Sequence, residues 1–396
     1  MAHDPRQSAH SRWLGAAALL AVVRSEPGIT RTAAAQRLGI GSGNATELTT
    51  RLRASRLLDE QPAPAQGRGR PTTALGPHAE GPLVLAVDLR ASDWRLALAG
   101  IDGRPNVVNQ SGYADDPDSA LAQVAKAIGA VYRRNTKRLR AISIAVAGPV
   151  SGARLGQFPS RGWSDVDLSV LTAKVGNRAD VALLVGNDAT LAGLAEARTG
   201  AARGATTALH LIVAQGIGGT LVVNGEPVTG AHGAAGEYGH IPFADPHLIC
   251  PCGARGCWDL TVDGRALARH LGDPPPDDAV GYVHAVIDRP DRDARTRRAL
   301  NAVSDSLGRG IGGLVNLHDP DVVTLGGAAV PLRAAAPEAF VDAYRDGLMS
   351  FRKAAPPPVH DGVHGEEGPL HGAVELALDH VVSAAGVADW VALQDF

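Results

Sequence analysis

The sequence predicts an α/β protein built from more than one domain. At 396 residues, the chain is longer than a single compact core usually supports. From Leu83 onward, short apolar strands alternate with amphipathic helical stretches, which is typical of α/β architecture. Before that point the pattern is helical, and a stretch rich in Pro, Gly and Arg at residues 61–71 separates the two regions. We therefore expect a small helical domain followed by a larger α/β body.

Composition and hydropathy exclude two classes of protein. Hydrophobic residues make up 45% of the chain and charged residues 20%, with a mean hydropathy of −0.02, which is neither disordered nor membrane-spanning composition. An apolar run at 13–23 is too short to span a bilayer, and charged sequence follows it where a signal peptide would carry a small-residue cleavage site. We expect a buried helix there, in a cytoplasmic protein with no membrane partner.

Charge is distributed unevenly along the chain. Residues 1–80 contain ten Arg, no Lys and six Asp or Glu, a net charge of +4, whereas the whole chain has a net charge of −3. A basic N-terminal segment on an acidic body is consistent with a nucleic-acid contact at one end of the protein only.

The first 60 residues predict three short helices. The first covers 13–24. The second covers 31–38, with Thr30 as its N-cap and Gly39 at its end. The third covers 42–53, or begins one residue later because Gly43 is a poor helix former, and it places Ala45, Leu48 and Leu52 on one face. Two short helices around a Gly-containing turn are the helix-turn-helix pattern, and residues 57–58 and 72–75 could form the two strands of a wing.

The body predicts alternating elements in chain order. They are a hairpin (83–87 and 95–99), a helix (117–134), strands at 141–147 and 181–185, a second hairpin (209–214 and 219–223), a strand at 322–325, a loop at 356–368 and a terminal helix at 371–385.

All three cysteines lie within eight residues, at Cys250, Cys252 and Cys257. Three thiolates and one imidazole make a tetrahedral zinc site, and the glycines between the cysteines permit the tight reversal that such a site needs. The alternative is a set of unligated surface thiols. From the residues alone, His232, His240 and His247 are all candidates for the fourth ligand. A site closed by four protein ligands leaves no position for a catalytic water, so its role is structural.

At this motif the chain resembles the ROK family, which joins repressors, unassigned reading frames and sugar kinases. The family signature is Gly-Glu-x-Gly-His, here residues 236–240, followed by Cys-x-Cys-Gly-x-x-Gly-Cys, here 250–257. The resemblance implies that His240, Cys250, Cys252 and Cys257 bind one structural Zn²⁺ per chain. Further segments stand where family members carry similar ones, at 147–150, 187–189, 216–219, 230–233 and 325–327.

The resemblance also implies the fold. We expect a winged helix-turn-helix with its Gly/Arg/Pro linker at 1–80, followed by a two-lobed, actin-like (ribonuclease H-like) sugar-kinase fold. The first α/β lobe would cover 81–189 and be completed by the C-terminal helix at 371–396. The second lobe, with the zinc knuckle, would cover 190–370.

The resemblance implies a sugar pocket. Asn187 and Asp188 match the family's sugar-binding Asn and its catalytic base, and Glu237 and His240 match two further sugar contacts. Three positions depart from the pattern: Asp259 stands where the family usually has Glu, and Ser160 and Arg161 stand where members often have Asn and Leu. These departures bear on which sugar is bound. The alternative is that Asn187 and Asp188 only cap the following helix. The expected ligand-binding set is Ser160, Asn187, Asp188, Glu237, His240 and Asp259.

The segment that would hold ATP phosphates distinguishes a kinase from a regulator. Kinases of the family carry Asp-x-Gly-Gly-Thr in their first hairpin, where the glycines let backbone amides approach phosphates. Here the stretch is Asp88-Leu89-Arg90-Ala91-Ser92, although the later glycines at 216–219 are present. Phosphoryl transfer depends on positioning and charge stabilisation. We therefore expect no enzymatic activity and regard Asp188 as a vestigial base.

The N-terminal segment also resembles the family's repressors. Residues near the start of a recognition helix reach base edges, so Ser42, Asn44, Thr46 and Glu47 are expected base contacts, and Arg51 is an expected phosphate contact. Arg31 opens the preceding helix and is also included in the DNA-binding set. Arg68 and Arg70, in a Gly-Arg-Pro element, could enter a minor groove or belong to a solvated linker.

We therefore expect a sugar-responsive DNA-binding regulator, a repressor, whose partners are operator DNA, a sugar or sugar derivative, and further copies of the chain in a homodimer or homotetramer. One alternative is an active ATP-dependent sugar kinase. Another is a regulator controlled by a protein partner, with a vestigial sugar pocket.

Overall fold

The computed structural model describes residues 5–62, 73–113, 116–158, 161–175 and 180–394, with side chains from Trp13 onward. Contacts divide the chain into two compact units, Met1–Gly186 with Ala373–Phe396, and Asn187–Gly372. The three domains drawn from the sequence remain a prediction. Among the described residues, no helix is both long enough and apolar enough to cross a membrane.

The first unit opens with α1 (Pro5–Ser25), α2 (Arg31–Leu38) and α3 (Ser42–Ala54). The α2 boundaries are as predicted: the Thr30 side chain accepts a hydrogen bond from Ala33 N at 3.2 Å, and Gly39 ends the helix with a φ of 63°. Helix α1 begins eight residues before the predicted start, because a Pro at the first position of a helix needs no hydrogen-bonded N–H.

A two-stranded antiparallel sheet follows the three helices. It consists of β1 (Leu58–Pro62) and β2 (Thr73–Pro77), and pairs Leu58 with Pro77. The face of α3 that was expected to be apolar is buried, at Ala45, Leu48 and Leu52.

The hydrophobic core beneath α1–α3 includes the C-terminal end of the chain. Helix α13 (Ala384–Ala392) packs against α1, and Val387 and Trp390 lie in the same buried cluster as Trp13 and Leu52. The Trp390 indole N–H donates to the Ser55 carbonyl oxygen at 2.7 Å. The predicted terminal helix at 371–385 is instead two helices, α12 (Gly368–Val381) and α13, because the Ser383 side chain caps the second one.

The larger sheet of the first unit has five strands in the order β10-β6-β3-β4-β5. The predicted first hairpin is confirmed as β3 and β4, and β6 runs parallel to β3. Strand β5 was not predicted, since every one of its residues is exposed and it lacks an apolar alternation. The elements are β3 (Leu83–Leu89), β4 (Asp93–Ala99), β5 (Asn106–Gly112), α4 (Pro117–Arg134), β6 (Leu139–Val146) and β10 (Ala182–Asn187), with a small three-stranded sheet of β7 (Val150–Ser151), β8 (Arg154–Phe158) and β9 (Trp163–Asp167).

The second unit contains a five-stranded sheet in the order β13-β12-β11-β14-β15. The second predicted hairpin is confirmed as β11 and β12, and the predicted loop at 356–368 contains the short strand β15, paired in parallel with β14. The strands are β11 (Thr207–Val213), β12 (Ile217–Val223), β13 (Glu226–Pro227), β14 (Val322–Gly327) and β15 (Val359–Asp361).

Helices complete the core of the second unit. Two glycines of α8 permit close packing on α10, because a Cβ at Gly308 would lie 2.3 Å from the Phe340 carbonyl oxygen, and one at Gly312 would lie 2.8 Å from that of Tyr344. The helices are α5 (Asp188–Thr199), α6 (Gly264–Leu271), α7 (Ala279–Ile287), α8 (Ala294–His318), α9 (Ala329–Ala335), α10 (Pro337–Gly347) and α11 (Ser350–Lys353), together with the first residues of α12.

Candidate functional site

One imidazole and three thiols converge in the second unit. The ligand atoms of His240, Cys250, Cys252 and Cys257 all lie within 4.8 Å of one another. Cys252 Sγ and Cys257 Sγ are 3.7 Å apart, and Cys250 Sγ is 3.9 Å from His240 Nδ1. The loop reverses through two glycines in the left-handed region, Gly253 and Gly256, with φ values of 94° and 68°.

The spacing of these four atoms fits a tetrahedral zinc ion. Metal–sulfur bonds of about 2.3 Å place two sulfurs about 3.8 Å apart, close to the separation of the Cys252 and Cys257 sulfurs. Burial raises the pKa of the Cys257 thiol to about 12, so a bound cation would be needed to favour its thiolate form. Within the described part of the chain, His240, and not His232 or His247, groups with the cysteines. The cluster could therefore hold one metal ion with no open position.

The core of the second unit anchors this knuckle. Cys257 is followed directly by Trp258, which is fully buried, and the Trp258 indole N–H donates to the Ser306 carbonyl oxygen of α8 at 3.1 Å. Metal binding at the cluster is therefore connected to the packing of the longest helix in the unit.

The His240 ring lies between the thiols and a carboxylate. Its Nδ1 faces Cys250, and its Nε2 is 3.8 Å from an oxygen of Glu237. A metal at Nδ1 would leave Nε2 protonated and able to donate a hydrogen bond. Burial raises the pKa of Glu237. The two expected sugar contacts therefore lie side by side, three residues apart in the chain.

Asp259 is engaged with the backbone. Its side chain is almost buried, and Oδ1 accepts a hydrogen bond from Ile217 N at 2.6 Å. A Cβ at Gly239 would lie 2.0 Å from the same oxygen, and one at Gly216 would lie 2.7 Å from Oδ2. The glycines at 216 and 239 thus make room for this carboxylate, which holds the turn between β11 and β12.

Asn187 and Asp188 stand at the carboxyl end of β10, where α5 begins. Asn187 is the N-cap: its side-chain oxygen accepts from Thr190 N at 3.0 Å. Asp188 Oδ1 accepts from Ala189 N at 2.8 Å. Both side chains are only half-buried, so the capping role of Asn187 does not prevent either residue from contacting a ligand.

In the first unit, a buried ion pair occupies the hairpin where kinases of the family bind phosphates. Asp88 is 1% exposed and accepts a hydrogen bond from Arg95 Nη2 at 2.8 Å. At the turn, Arg90 pairs with Asp93. Sequence reasoning missed Arg95, although the antiparallel register of the predicted hairpin places it opposite Asp88. Arginine side chains therefore lie at the hairpin where glycines would leave backbone N–H groups accessible to phosphates.

The polar face of α3 is exposed. Ser42, Asn44, Thr46 and Glu47 are all exposed, while Arg51 is half-buried. Arg51 lies over the Trp13 ring at 5.7 Å and pairs with Glu47 at 2.7 Å.

Other expected site residues are placed as follows. Arg31 pairs with Glu60 of β1 at 3.0 Å. Arg68, Arg70 and Ser160 lie outside the described residues.

Comparisons with known proteins agree with this architecture. The sequence profile of the ROK family matches residues 84–380. A solved ROK family transcriptional regulator, a homologue of the E. coli MLC protein, superposes with a TM-score of 0.75 over 96% of this chain and 99% of its own, at 19% identity. That identity shows similarity of fold only.

Two relatives by sequence differ in what they do. The kanosamine kinase of Amycolatopsis mediterranei is 31% identical over 265 residues, which is 65% of this chain and 83% of the kinase. The xylose repressor of Bacillus subtilis is 28% identical over 171 residues, 42% of each chain.

Proposed function

Because the chain belongs to the ROK family, we propose that it is a sugar-responsive DNA-binding transcription regulator, a repressor, whose kinase-like body has no catalytic activity. The observation that carries this proposal is the exposed polar face of α3, in a segment that lies ahead of the family region at 84–380. The similarity in fold to a family regulator over 96% of the chain supports it.

The first two-stranded sheet and the helices before it suit a winged helix-turn-helix. In this interpretation α3 is the recognition helix, α2 crosses the DNA backbone, and the β1–β2 hairpin is the wing. The buried residues of α3 hold it on the core shared with α13, so its polar face is directed to solvent from a fixed base. A rigid base favours specific recognition, because the contacting side chains need little further ordering on binding.

On DNA, the α3 residues divide into two roles. Ser42, Asn44, Thr46 and Glu47 would contact base edges, and Arg51, with Arg31 of α2, would contact phosphates. Both arginines carry an acidic partner, Glu47 and Glu60. These pairs are solvent-accessible and cost little to open. Arg68 and Arg70 would add minor-groove contacts if the linker follows the wing onto DNA.

The body would bind the effector through the residues around His240. Asn187, Asp188, Glu237 and His240 offer the amide, carboxylates and ring nitrogen that pair with sugar hydroxyls, and Ser160 remains an expected sugar contact. The bond to Ile217 N suggests that Asp259 orients the site more than it touches sugar. One zinc ion per chain, held by His240 and the three cysteines, would be structural and would fix the His240 ring.

Phosphoryl transfer is not expected at this site. The Asp88–Arg95 and Arg90–Asp93 pairs fill the hairpin with side chains, whereas transfer from ATP requires a backbone cradle for the phosphates. The kanosamine kinase relative and the retained Asp188 favour the alternative of an active sugar kinase. An ATP-consumption assay over a panel of hexoses and amino sugars separates the two, since a kinase would show turnover that Asp188→Asn abolishes.

DNA binding itself is tested by selection of genomic fragments on the purified, zinc-loaded protein. The proposal expects enrichment of a specific sequence arranged as paired half-sites, as binding by a homodimer or homotetramer would produce. Asn44→Ala should lower affinity for the selected sequence by about tenfold, since one base contact is worth about 1 to 3 kcal/mol. Asn106→Ala, an exposed Asn on β5, is the matched control. Absence of any enriched sequence would contradict DNA binding and favour the alternative of an active sugar kinase.

A further inference from the structure

The N-terminal end of α8 carries a group of arginines. Residues 288–298 contain five Arg and three Asp, a net charge of +2 in a chain whose net charge is −3. Arg295, Arg297 and Arg298 lie within the first five residues of the helix, and its first turn holds no acidic residue. The N-terminus of a helix has a partial positive charge, so cations are disfavoured there. This placement therefore has a free-energy cost that a bound anion would offset.

Three arginines of this segment converge on one cavity of about 410 Å³. Arg292, Arg297 and Arg298 line it together with Asn301, and every other described residue of the lining is apolar. All of these residues belong to the second unit, and none of the residues expected to contact sugar or zinc is among them. The cavity is therefore a separate place on that unit, with three cations and no carboxylate among its described lining residues.

Backbone carbonyls orient two of these arginines without neutralising their charge. Arg292 Nε and Nη2 donate to the Ile287 carbonyl oxygen at 3.0 and 2.6 Å, and Arg297 Nη1 donates to the carbonyl oxygen of Arg292. Asp293 instead caps α8, since its side chain accepts a hydrogen bond from Thr296 N at 2.7 Å. Within the described part of the chain, none of the three arginines that line the cavity forms an ion pair.

Two nearby arginines outside the cavity do have acidic partners. Arg309 of the same helix pairs with Asp305 at 3.0 Å, and Arg289 pairs with Asp273 at 3.6 Å. Cations that share one cavity repel one another, and the repulsion is stronger at a partly enclosed surface than in bulk water. An anionic ligand would remove this repulsion and supply the partner that the arginines of the cavity lack.

We propose that Arg292, Arg297 and Arg298 form a binding site for a phosphoryl dianion, either free phosphate or the phosphate group of a small ester. The planar fork of a guanidinium matches two oxygens of such a group. A carboxylate has one charge and would leave two cations uncompensated, whereas a phosphate ester carries about 1.5 to 2 negative charges. Asn301 would donate to a further oxygen, and the apolar part of the wall would contact the organic part of an ester. This site goes beyond the proposed function, which assigns no ligand to α8.

Calorimetry on the full, zinc-loaded chain in phosphate-free buffer tests the site with inorganic phosphate as the first probe. Saturable binding is expected for the native protein, and Arg298→Gln should weaken it by about tenfold or more, as expected for a lost charge-assisted hydrogen bond. Arg295→Gln is the matched control, because it removes the same charge from the same turn. The Arg295 guanidinium lies beside Gly272, where a Cβ would be 2.5 Å from its Nη2, and it does not line the cavity. Arg295→Gln should change phosphate affinity by less than about threefold.

A second set of titrations compares inorganic phosphate with phenyl phosphate and benzoate. Tighter binding of phenyl phosphate than of inorganic phosphate would identify an ester as the source of the dianion, and the reverse order would identify free phosphate. Benzoate has the same ring but a single charge, and should bind about tenfold or more weakly than phenyl phosphate. Arg298→Lys should keep only part of the phosphate affinity, because an ammonium lacks the planar fork. Circular dichroism and melting temperature check that each variant is folded.

Several results would overturn the inference. They are no saturable phosphate binding by the native protein, equal phosphate binding by Arg298→Gln, and benzoate binding as tight as that of phenyl phosphate. Equal losses in Arg295→Gln and Arg298→Gln would also overturn it, since they would show a general basic surface. If Arg298→Gln weakened DNA binding and the native protein bound no phosphate, the arginines would belong to a nucleic-acid surface instead. Conversely, phosphate binding that depends on Arg298 would retain the site even in a protein that bound no DNA.

Discussion

The guanidinium of Arg24, in the last turn of α1, donates a 3.0 Å hydrogen bond to Asp379 of α12, and it also pairs with the buried Glu375 one turn earlier. The other end of α12 packs closely on α5, because a Cβ at Gly372 would lie 1.8 Å from the Leu191 carbonyl oxygen. Helix α12 therefore packs on α1 near its C-terminal end and on α5 near its N-terminal end.

Removal of Arg24 should destabilise the protein. Arg24→Met leaves Glu375 buried without its cation, which typically costs about 3 kcal/mol of unfolding free energy, and the double variant with Glu375→Gln should recover much of that loss. The control is Arg37→Met, which breaks an exposed pair with Glu26 and should cost less than about 1 kcal/mol. Urea denaturation measures both. If both single variants lost the same free energy of unfolding, the buried pair between α1 and α12 would stabilise the protein no more than an exposed pair does.

The group of His240 with the three cysteines predicts that mutation of one ligand lowers the zinc content. Cys252→Ser should lower the zinc content from one ion per chain to a small fraction and lower the melting temperature, because metal binding contributes to folding. His247→Ala is the matched control, since His247 is near in sequence but outside the cluster. Elemental analysis of freshly purified protein measures the metal. A native protein that is stable and contains no zinc would contradict the assignment.

A buried histidine predicts loss of stability in acid. Burial lowers the pKa of His210 from 6.5 to about 4, and its Nδ1 lies 2.9 Å from the Thr324 hydroxyl. Between those two pH values the unfolded chain binds a proton that the folded chain does not. Stability should therefore fall as pH falls through this window, with about 2 kcal/mol lost at about pH 5.

The test is to compare the native protein with His210→Asn, which cannot titrate there. Urea denaturation at about pH 7.5 and about pH 5 should show the native protein losing about 2 kcal/mol more than the variant over that interval. The neighbouring Glu196 and His364 also act on this ring and remain in both proteins, so the difference isolates His210. An equal loss in both would mean that other groups govern the acid response.

Local sequence patterns predicted many of the helices and strands, but they did not predict the contacts between residues that are far apart in the chain. The N-cap at Thr30, the buried face of α3 and the two hairpins follow from short-range pattern. Ligand chemistry predicted a metal site at the cysteines, and the resemblance to the family motif predicted that His240 joins them. In contrast, the contact of Trp390 with Ser55 joins residues 335 positions apart, and no local pattern marks it. Asp259 accepts a hydrogen bond from Ile217 N, and the sequence does not reveal a backbone partner of this kind.

In the proposed function, Asp188 binds the effector and α3 binds the operator DNA. Titration of operator DNA with and without effector tests this division most directly. Asp188→Ala should bind operator like the native protein in the absence of effector, and should need at least tenfold more effector for the same response, since a charged hydrogen bond to a sugar is worth about 1.5 to 3 kcal/mol. Arg51→Ala should do the reverse, with weaker operator binding and a salt dependence reduced by about one phosphate contact. If Asp188→Ala responds to the effector as the native protein does, the pocket around Asp188 is not the sensor and the account is wrong.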